Sequence, residues 1–220
     1  MARAFCNCIT AIALTVLVLV GASAARAEPL EVVALGDSLT QGYGLLPDEG
    51  FVPQMQAWLS AQGADVRLVN AGVSGDTTAG GVSRLDWSLG AQTDALIVNL
   101  GGNDMLRGLD PAVSRANLEK ILQMAAAKKL PVLLVGLQGP TNFGPDYKAA
   151  FDAIYPELAA QYGAVLMPNY FAAIAPEGTQ SGQLAAFMQG DGIHPNGDGV
   201  ARIVADMGPK VLELLQKIAP

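Results

Sequence analysis

Short apolar segments alternate with longer amphipathic segments along most of this 220-residue chain. The short segments are rich in Val, Leu and Ile and are bounded by Gly, Pro or Asn, as buried parallel strands are. The longer segments repeat apolar residues at helical spacing, and several have a proline near their start. The predicted strands are Leu30–Leu35, Val66–Asn70, Ala95–Leu100, Pro131–Leu137 and Ala164–Met167, and the predicted helices are Phe51–Gln62, Thr77–Leu89, Pro111–Lys129, Tyr147–Tyr162 and Asn196–Ile218. This alternation predicts an α/β fold with helices on both faces of a parallel sheet, a three-layer α/β/α sandwich.

The first 27 residues have a different character from the rest of the chain. Arg3 supplies a positive charge, Ile9–Val20 is an unbroken run of apolar residues and threonine, and Ala25–Ala27 has the small-x-small pattern of a cleavage site. The apolar run is shorter than the ~20 residues that a membrane-spanning helix needs. We therefore predict a signal peptide over residues 1–27, cleaved after Ala27. The mature protein would be secreted or periplasmic, with one domain over residues 28–220 and no stable membrane anchor.

Loss of this segment changes both the cysteine content and the charge of the mature chain. Cys6 and Cys8 are the two cysteines of the chain, so the predicted mature protein has no disulfide, cysteine nucleophile or thiolate ligand. Without Arg3 and Arg26, the 13 basic residues fall to 11 against 20 acidic residues, and the net charge moves from −7 to −9. Such a surface repels phosphate backbones, which argues against a nucleic-acid partner.

Polar, glycine-bearing clusters follow the first three predicted strands. They are Gly36–Leu39, Asn70–Thr78 and Gly101–Asp104, and a fourth cluster, Gly190–Asn196, precedes the last helix. Because ligands of open α/β sheets bind beyond the carboxyl ends of the strands, we expect the first three clusters to lie on one edge of the sheet. The fourth can join them there, so this edge is the predicted active site.

His194 is the only histidine of the chain, so any imidazole base must be this residue. Asp191 lies three residues upstream, with Gly192 between them, and a tight turn can bring its carboxylate to one ring nitrogen. Ser38 directly follows the first strand, where a strand-to-helix turn presents a nucleophile at the edge of the sheet. Asp37 or Ser38 could instead simply cap a short helix, a common use of these residues.

Two further residues can donate hydrogen bonds to an oxyanion. Gly75 can offer a backbone N–H at the start of a helix, and Asn103 can offer its side-chain amide. Each also has an ordinary structural explanation, Gly75 as a turn glycine and Asn103 as a turn or cap residue. The convergence of four clusters with complementary roles favours the catalytic interpretation.

The sequence gives no support for a metal or a nucleotide. There is no second histidine and no dense acidic loop, so Asp104 and Asp198 are interpreted as loop or capping residues. The glycine-rich stretches lack both the G-x-G-x-x-G pattern and the Gly-Lys-Ser/Thr ending of phosphate-binding loops. We therefore expect chemistry without a cofactor.

The four clusters resemble the blocks of the SGNH, or GDSL, hydrolase family. The matching segments are Gly36-Asp37-Ser38-Leu39, Asn70-Ala71-Gly72-Val73-Ser74-Gly75-Asp76-Thr77, Gly101-Gly102-Asn103-Asp104 and Asp191-Gly192-Ile193-His194-Pro195. Residues 101–108 and 153–156 are most similar to the bacterial periplasmic thioesterase/lysophospholipase and arylesterase branch. The resemblance implies a flavodoxin-like five-stranded sheet and a Ser38, His194 and Asp191 triad. It also implies an oxyanion hole formed by the N–H groups of Ser38 and Gly75 and the side chain of Asn103.

The expected activity is hydrolysis of small carboxylic esters or thioesters through an acyl-enzyme on Ser38. The loop Thr141–Asp146 can be an ordinary connection after the fourth strand or, as the resemblance implies, a mobile wall of the acyl pocket. Two alternatives stay open from the sequence. The same residues could serve a carbohydrate O-acetylesterase, or the fold could be retained in a binding protein without enzymatic activity.

Overall fold

The computed structural model of the protein describes residues 28–176 and 181–218. The predicted signal peptide, residues 1–27, lies outside the described residues. Within the described ranges, five parallel strands form one sheet in the order β2-β1-β3-β4-β5. The strands are β1 (Leu30–Gly36), β2 (Val66–Gly72), β3 (Thr93–Asn99), β4 (Val132–Val135) and β5 (Val165–Met167). This is the strand order of flavodoxin-like folds, so the predicted fold class is confirmed.

Helices cover both faces of this sheet. In the described part of the chain they are α1 (Ser38–Gln41), α2 (Phe51–Ala61), α3 (Thr78–Ser88), α4 (Gly102–Leu106), α5 (Pro111–Ala127), α6 (Pro145–Asp152), α7 (Ile154–Tyr162), α8 (Ser181–Ala185) and α9 (Gly197–Gln216). One group consists of α2 and α9, which pack against each other, and the other consists of α3, α5, α6 and α7. The helices keep both sides of the central strands from water.

The predicted helix Tyr147–Tyr162 is wrong in one respect, because the structure divides it into α6 and α7 at Ala153. The cause is Pro156. Proline has no N–H to donate to the carbonyl of Asp152, and its ring would clash with that carbonyl in a continuous helix. Apolar spacing continues across the break, so the periodicity alone does not reveal it.

The core lies around the central strands. Val32–Leu35 of β1 and Ala95–Val98 of β3 are at most 1% exposed, as expected for strands covered on both faces. Each fully buried Val, Leu or Ile side chain stabilises the fold by roughly 1.5–3 kcal/mol. The edge strand β2 alternates buried and exposed residues over its first half instead. The hydrophobic core therefore fixes β1 and β3 most firmly, and these are two of the strands whose ends carry the polar clusters.

The chain changes direction across the sheet between β1 and β3. From β1 it passes to β2 on one side, and it then returns to form β3 on the other side. At such a switch point the loops after neighbouring strands diverge and leave a crevice beyond the carboxyl ends. The clusters that follow β1, β2 and β3 border this crevice, as the sequence predicts.

Candidate active site

Ser38 is the first residue of α1, immediately beyond the end of β1. Ser38 is 9% exposed. Asp37, the residue before it, caps the helix by accepting the N–H of Leu39 on Oδ1 at 3.0 Å. The capping alternative is thus correct for Asp37. Ser38 itself has a different partner, because its Oγ lies 2.8 Å from Nε2 of His194.

His194 is held by a tight turn that begins at Asp191. Gly192 has a φ of +66°, a left-handed conformation that glycine adopts without strain. In this turn Oδ1 of Asp191 accepts the backbone N–H groups of Ile193 and His194, at 2.9 and 3.0 Å. The other carboxylate oxygen, Oδ2, lies 2.6 Å from Nδ1 of His194. The turn therefore fixes the imidazole relative to the carboxylate by contacts that span only three residues.

These contacts determine which ring nitrogen carries the proton of a neutral imidazole. Hydrogen bonds from the His194 side chain and from the backbone N–H groups of His194 and Ile193 hold the pKa of Asp191 well below its usual range. The carboxylate is therefore ionised at neutral pH and can only accept, so Nδ1 of a neutral His194 carries the proton. Nε2 is then left as an acceptor for the hydroxyl of Ser38, which is the arrangement that a serine nucleophile requires.

Gly75 and Asn103 face the same cleft as Ser38. Gly75 has a φ of +81°, so it is a turn glycine as well as a cleft residue. Asn103 lies inside α4 and not at its N-cap, which is Gly101, so the alternative of a helix cap is wrong. Its Nδ2 donates one hydrogen bond to Oδ2 of Asp37 at 3.3 Å. An amide nitrogen has two hydrogens, so a second one is left for a ligand.

Asp37 connects the nucleophile turn with Asn103, and sequence reasoning treated it only as a cap. The residue is 2% exposed, and its two carboxylate oxygens accept from Leu39 and Asn103. Burial raises the pKa of Asp37 to about 6, against the opposing effects of the Leu39 N–H, the charge of His194 and the Asn103 amide. Its position directly before the serine was the available signal, but the contact with Asn103 requires the fold.

Because the pKa of Asp37 is raised in the folded protein, we predict that ionisation of this residue lowers the free energy of unfolding as pH rises. The folded state holds this proton more tightly than the unfolded chain, whose pKa is 3.8, so the unfolding free energy falls as pH rises through about 6. Between pH 4.5 and pH 7.5 this loss is roughly 2 kcal/mol. Urea unfolding at both pH values should show this loss of unfolding free energy in wild type and not in Asp37→Asn.

The matched control is Asp198→Asn, which changes an exposed residue in the first turn of α9. It should show the same pH dependence as wild type. The contribution of Asp191 is present in all three proteins and cancels. Equal pH dependence in wild type and Asp37→Asn would contradict the prediction.

A largely apolar cleft of about 630 Å³ opens beside Ser38. Its apolar walls are formed by Leu39, Tyr43, Met105, Leu106, Leu137, Phe171, Ala175, Leu184, Met188 and Ile193. No residue of the described loop 141–146 is part of these walls, so the alternative of an ordinary connection applies to Thr141–Asp146. The ring of Phe143 packs on that of Tyr147 instead, with centroids 5.0 Å apart. Residues of α4 and residues just after β4 contribute to the apolar walls, and this loop does not.

Asp104 has a structural role, as the sequence predicts. It is fully buried, and its carboxylate accepts the N–H and the hydroxyl of Thr78 at 2.8 and 2.6 Å and the hydroxyl of Ser114 at 3.2 Å. It thereby caps the N-terminus of α3. Over residues 28–176 and 181–218 we find no cluster of three His, Cys, Asp or Glu side chains suited to a metal ion. Nor does any helix in these ranges have the length and apolarity to cross a membrane.

Comparison with known proteins gives consistent matches. The sequence profile of the GDSL-like lipase/acylhydrolase family matches residues 34–202. Esterase TesA of Pseudomonas aeruginosa is 41% identical over 192 residues, which cover 87% of this chain and 91% of the relative. Thioesterase 1/protease 1/lysophospholipase L1 of Escherichia coli strain K12 is 36% identical over 201 residues, which cover 90% of each chain.

Solved structures agree with the sequence matches. The crystal structure of AlinE4, described as an SGNH-hydrolase family esterase, has a TM-score of 0.69 and 39% sequence identity to this chain. The similarity covers 87% of this chain and 99% of AlinE4. The four-block resemblance seen in the sequence is therefore confirmed by similarity over nearly the whole described part of the chain.

Proposed function

The chain belongs to the GDSL-like lipase/acylhydrolase family, and from this membership we propose that Ser38, His194 and Asp191 form its catalytic triad. The protein is a serine hydrolase that acts on carboxylic esters or thioesters. One observation carries the assignment of the triad. Two hydrogen bonds, of 2.6 and 2.8 Å, join Asp191 to His194 and His194 to Ser38 beside a largely apolar cleft.

The proposed reaction proceeds in two stages. Ser38 Oγ attacks the carbonyl carbon of the substrate while Nε2 of His194 takes the hydroxyl proton, and Asp191 stabilises the resulting imidazolium. As the tetrahedral intermediate collapses, His194 returns this proton to the leaving alcohol or thiol, and the acyl group stays on Ser38. Water then attacks the acyl-enzyme while His194 takes a proton from it, and His194 returns this proton to Ser38 Oγ as the bond between Ser38 and the acyl group breaks and the carboxylic acid leaves.

The negative charge of the tetrahedral intermediate needs donors that are already in place. We propose that the N–H groups of Ser38 and Gly75 and the side chain of Asn103 form this oxyanion hole. All three residues face the cleft, and the contact with Asp37 orients the Asn103 amide. Donors held in this way stabilise charge without reorganisation during the reaction. No step of the mechanism requires a cofactor.

The lining of the cleft favours acyl chains over acetylated carbohydrates. Most of the side chains that surround it are aliphatic, methionine or aromatic, which suits the methylene groups of a fatty acyl chain. A carbohydrate O-acetylesterase would need polar groups to pair with the sugar hydroxyls. A binding protein without activity would have no need of the ordered contacts among Ser38, His194 and Asp191.

A substrate series tests the proposed acyl specificity. We expect kcat/KM on p-nitrophenyl esters to rise with each methylene added beyond acetyl until the cleft is filled. The expected rise is about threefold to fourfold per methylene, because burying one methylene contributes ~0.8 kcal/mol. Thioesters of the same acyl chains should follow the same order. Acetylated xylan and p-nitrophenyl acetate are the controls, and a preference for acetylated xylan over the longer esters would contradict the proposal.

We also propose that residues 28–220 form the mature protein and that it acts outside the cytoplasm, as a secreted or periplasmic enzyme. The composition of residues 1–27 supports this proposal. The family match begins at residue 34, beyond the proposed cleavage site.

A further inference from the structure

Arg84 of α3 connects three parts of the active-site edge. One terminal nitrogen donates to the carbonyl oxygen of Gly36 at 2.8 Å, and the other donates to the carbonyl oxygen of Ala71 at 2.7 Å. Its Nε donates to Oδ2 of Asp76 at 2.6 Å. One guanidinium thus binds the end of β1, the end of β2 and the loop that follows β2.

The Arg84–Asp76 contact is shielded from solvent. Each of the two side chains is 15% exposed, so their attraction is screened less than that of a surface pair. The Asp76 carboxylate also lies directly against Gly80, where any Cβ would overlap its Oδ1. Its position is therefore defined from two sides, and a planar guanidinium matches three fixed acceptors better than a flexible ammonium does.

Two of the three anchors of Arg84 lie close in sequence to a proposed oxyanion donor. Gly36 lies two residues before Ser38, and Asp76 directly follows Gly75. From this placement, and on the basis of the proposed function, we infer that Arg84 is a positioning residue for the oxyanion hole. It holds the N–H of Gly75 at a fixed distance from the N–H of Ser38. Arg84 does not line the cleft in the described structure, so it acts through the backbone and not by contact with substrate.

A second arginine also contacts this loop. Arg107, at the C-terminal end of α4, donates to the carbonyl oxygen of Gly75 at 2.7 Å. This contact is exposed, and it is the one hydrogen bond of the Arg107 side chain that the described structure shows. Arg84 makes more contacts and is less exposed, so we expect it to contribute more to the position of Gly75.

The variant Arg84→Lys tests this inference. Lysine keeps the charge but cannot reach all three acceptors at once. The Gly75 N–H stays present but is displaced, so we expect kcat per active site to fall about 10-fold, less than the ~10²–10³-fold loss on removal of a donor. KM should change less than twofold, because an oxyanion donor acts mainly as charge develops.

Two measurements separate positioning from simple stabilisation. Titration with a phosphonate ester that labels Ser38 counts competent sites, so kcat is corrected for any unfolded fraction. A boronic acid that forms an anionic tetrahedral adduct with Ser38 should bind about 10-fold more weakly to Arg84→Lys, in parallel with kcat. Arg115→Lys is the matched control, since Arg115 pairs with Glu157 at 2.6 Å on the exposed surface.

If Arg84→Lys fails to fold, Asp76→Asn replaces it, because this change weakens only the contact next to Gly75. It should also lower kcat per titrated site severalfold with little change in KM. If a variant has fewer titratable sites but its kcat per site stays within threefold of wild type, the inference is overturned. If the boronic acid binds both variants as tightly as wild type, the inference is overturned as well. Asn103→Ala, assayed in parallel, reports separately on the proposed oxyanion hole.

Discussion

Replacement of Ser38 by alanine is expected to lower kcat by ~10⁴–10⁶-fold, because the nucleophile of the acyl-enzyme is lost. His194→Ala should cause a loss of the same order, since without the imidazole no group accepts the proton of Ser38 Oγ. The double variant should be hardly worse than either single one, because residues of a triad act as a unit. The measurements are kcat on a p-nitrophenyl ester and the thermal midpoint, which should stay near that of wild type for Ser38→Ala.

A second serine of the cleft provides the matched control. Ser74 also faces the cleft, but its hydroxyl donates to Oε1 of Gln41 at 2.9 Å and has no contact with the histidine in the described structure. Ser74→Ala should therefore keep kcat within about threefold of wild type, because it is absent from the proton-transfer step. Activity of Ser38→Ala comparable to wild type, with contamination excluded, would refute the proposed triad.

Asn103→Ala is expected to lower kcat by ~10²–10³-fold with little change in KM, as seen when one oxyanion donor is removed. The reason is that the hydrogen bond to the substrate oxygen strengthens only when that oxygen becomes charged. The folded state loses one long hydrogen bond, to Asp37 at 3.3 Å, so the thermal midpoint should move little. Steady-state kinetics and thermal unfolding of this one variant measure both effects.

The control for Asn103 is an asparagine with a structural role in the same cleft. Oδ1 of Asn169 accepts the backbone N–H of Phe171 at 3.1 Å and closes a turn. Asn169→Ala should lower the unfolding free energy by ~1 kcal/mol and leave kcat near wild type. A loss of kcat below threefold in Asn103→Ala would remove it from the proposed oxyanion hole and leave it only the structural contact with Asp37.

The sequence predicted the sheet correctly because the information that defines it is local. A run such as Val32–Leu35 is apolar on both faces, and this identifies a buried strand without knowledge of its neighbours. The break between α6 and α7 was also encoded locally, in Pro156, but the continuing apolar spacing concealed it. The sequence left open whether the loop 141–146 borders the cleft, because its direction depends on the packing of Phe143 on Tyr147.

Residues that act through other residues were not recognised from the sequence. Asp37 looked like a helix cap, and it is one, but its second oxygen contacts an amide 66 positions away. Arg84 falls inside the predicted helix Thr77–Leu89 without any feature that marks it, and its carbonyl acceptor at Gly36 lies 48 positions away. Neither contact produces a periodic pattern or a fixed residue spacing in the sequence, since each depends on where the strand ends lie relative to a helix.

The sequence by itself determined the order of the five strands, the single imidazole and the short turn that joins His194 to Asp191, three residues apart. These features depend on local backbone preferences and on which residue types are present. Only the tertiary structure decided that His194 meets Ser38, because 156 positions separate them and several helices and strands lie between. Helix α9 begins just after His194, and its packing on α2, β4 and β5 holds it in place. A distance of 2.8 Å between two side chains so far apart results from the burial of the whole core, which no local segment can specify.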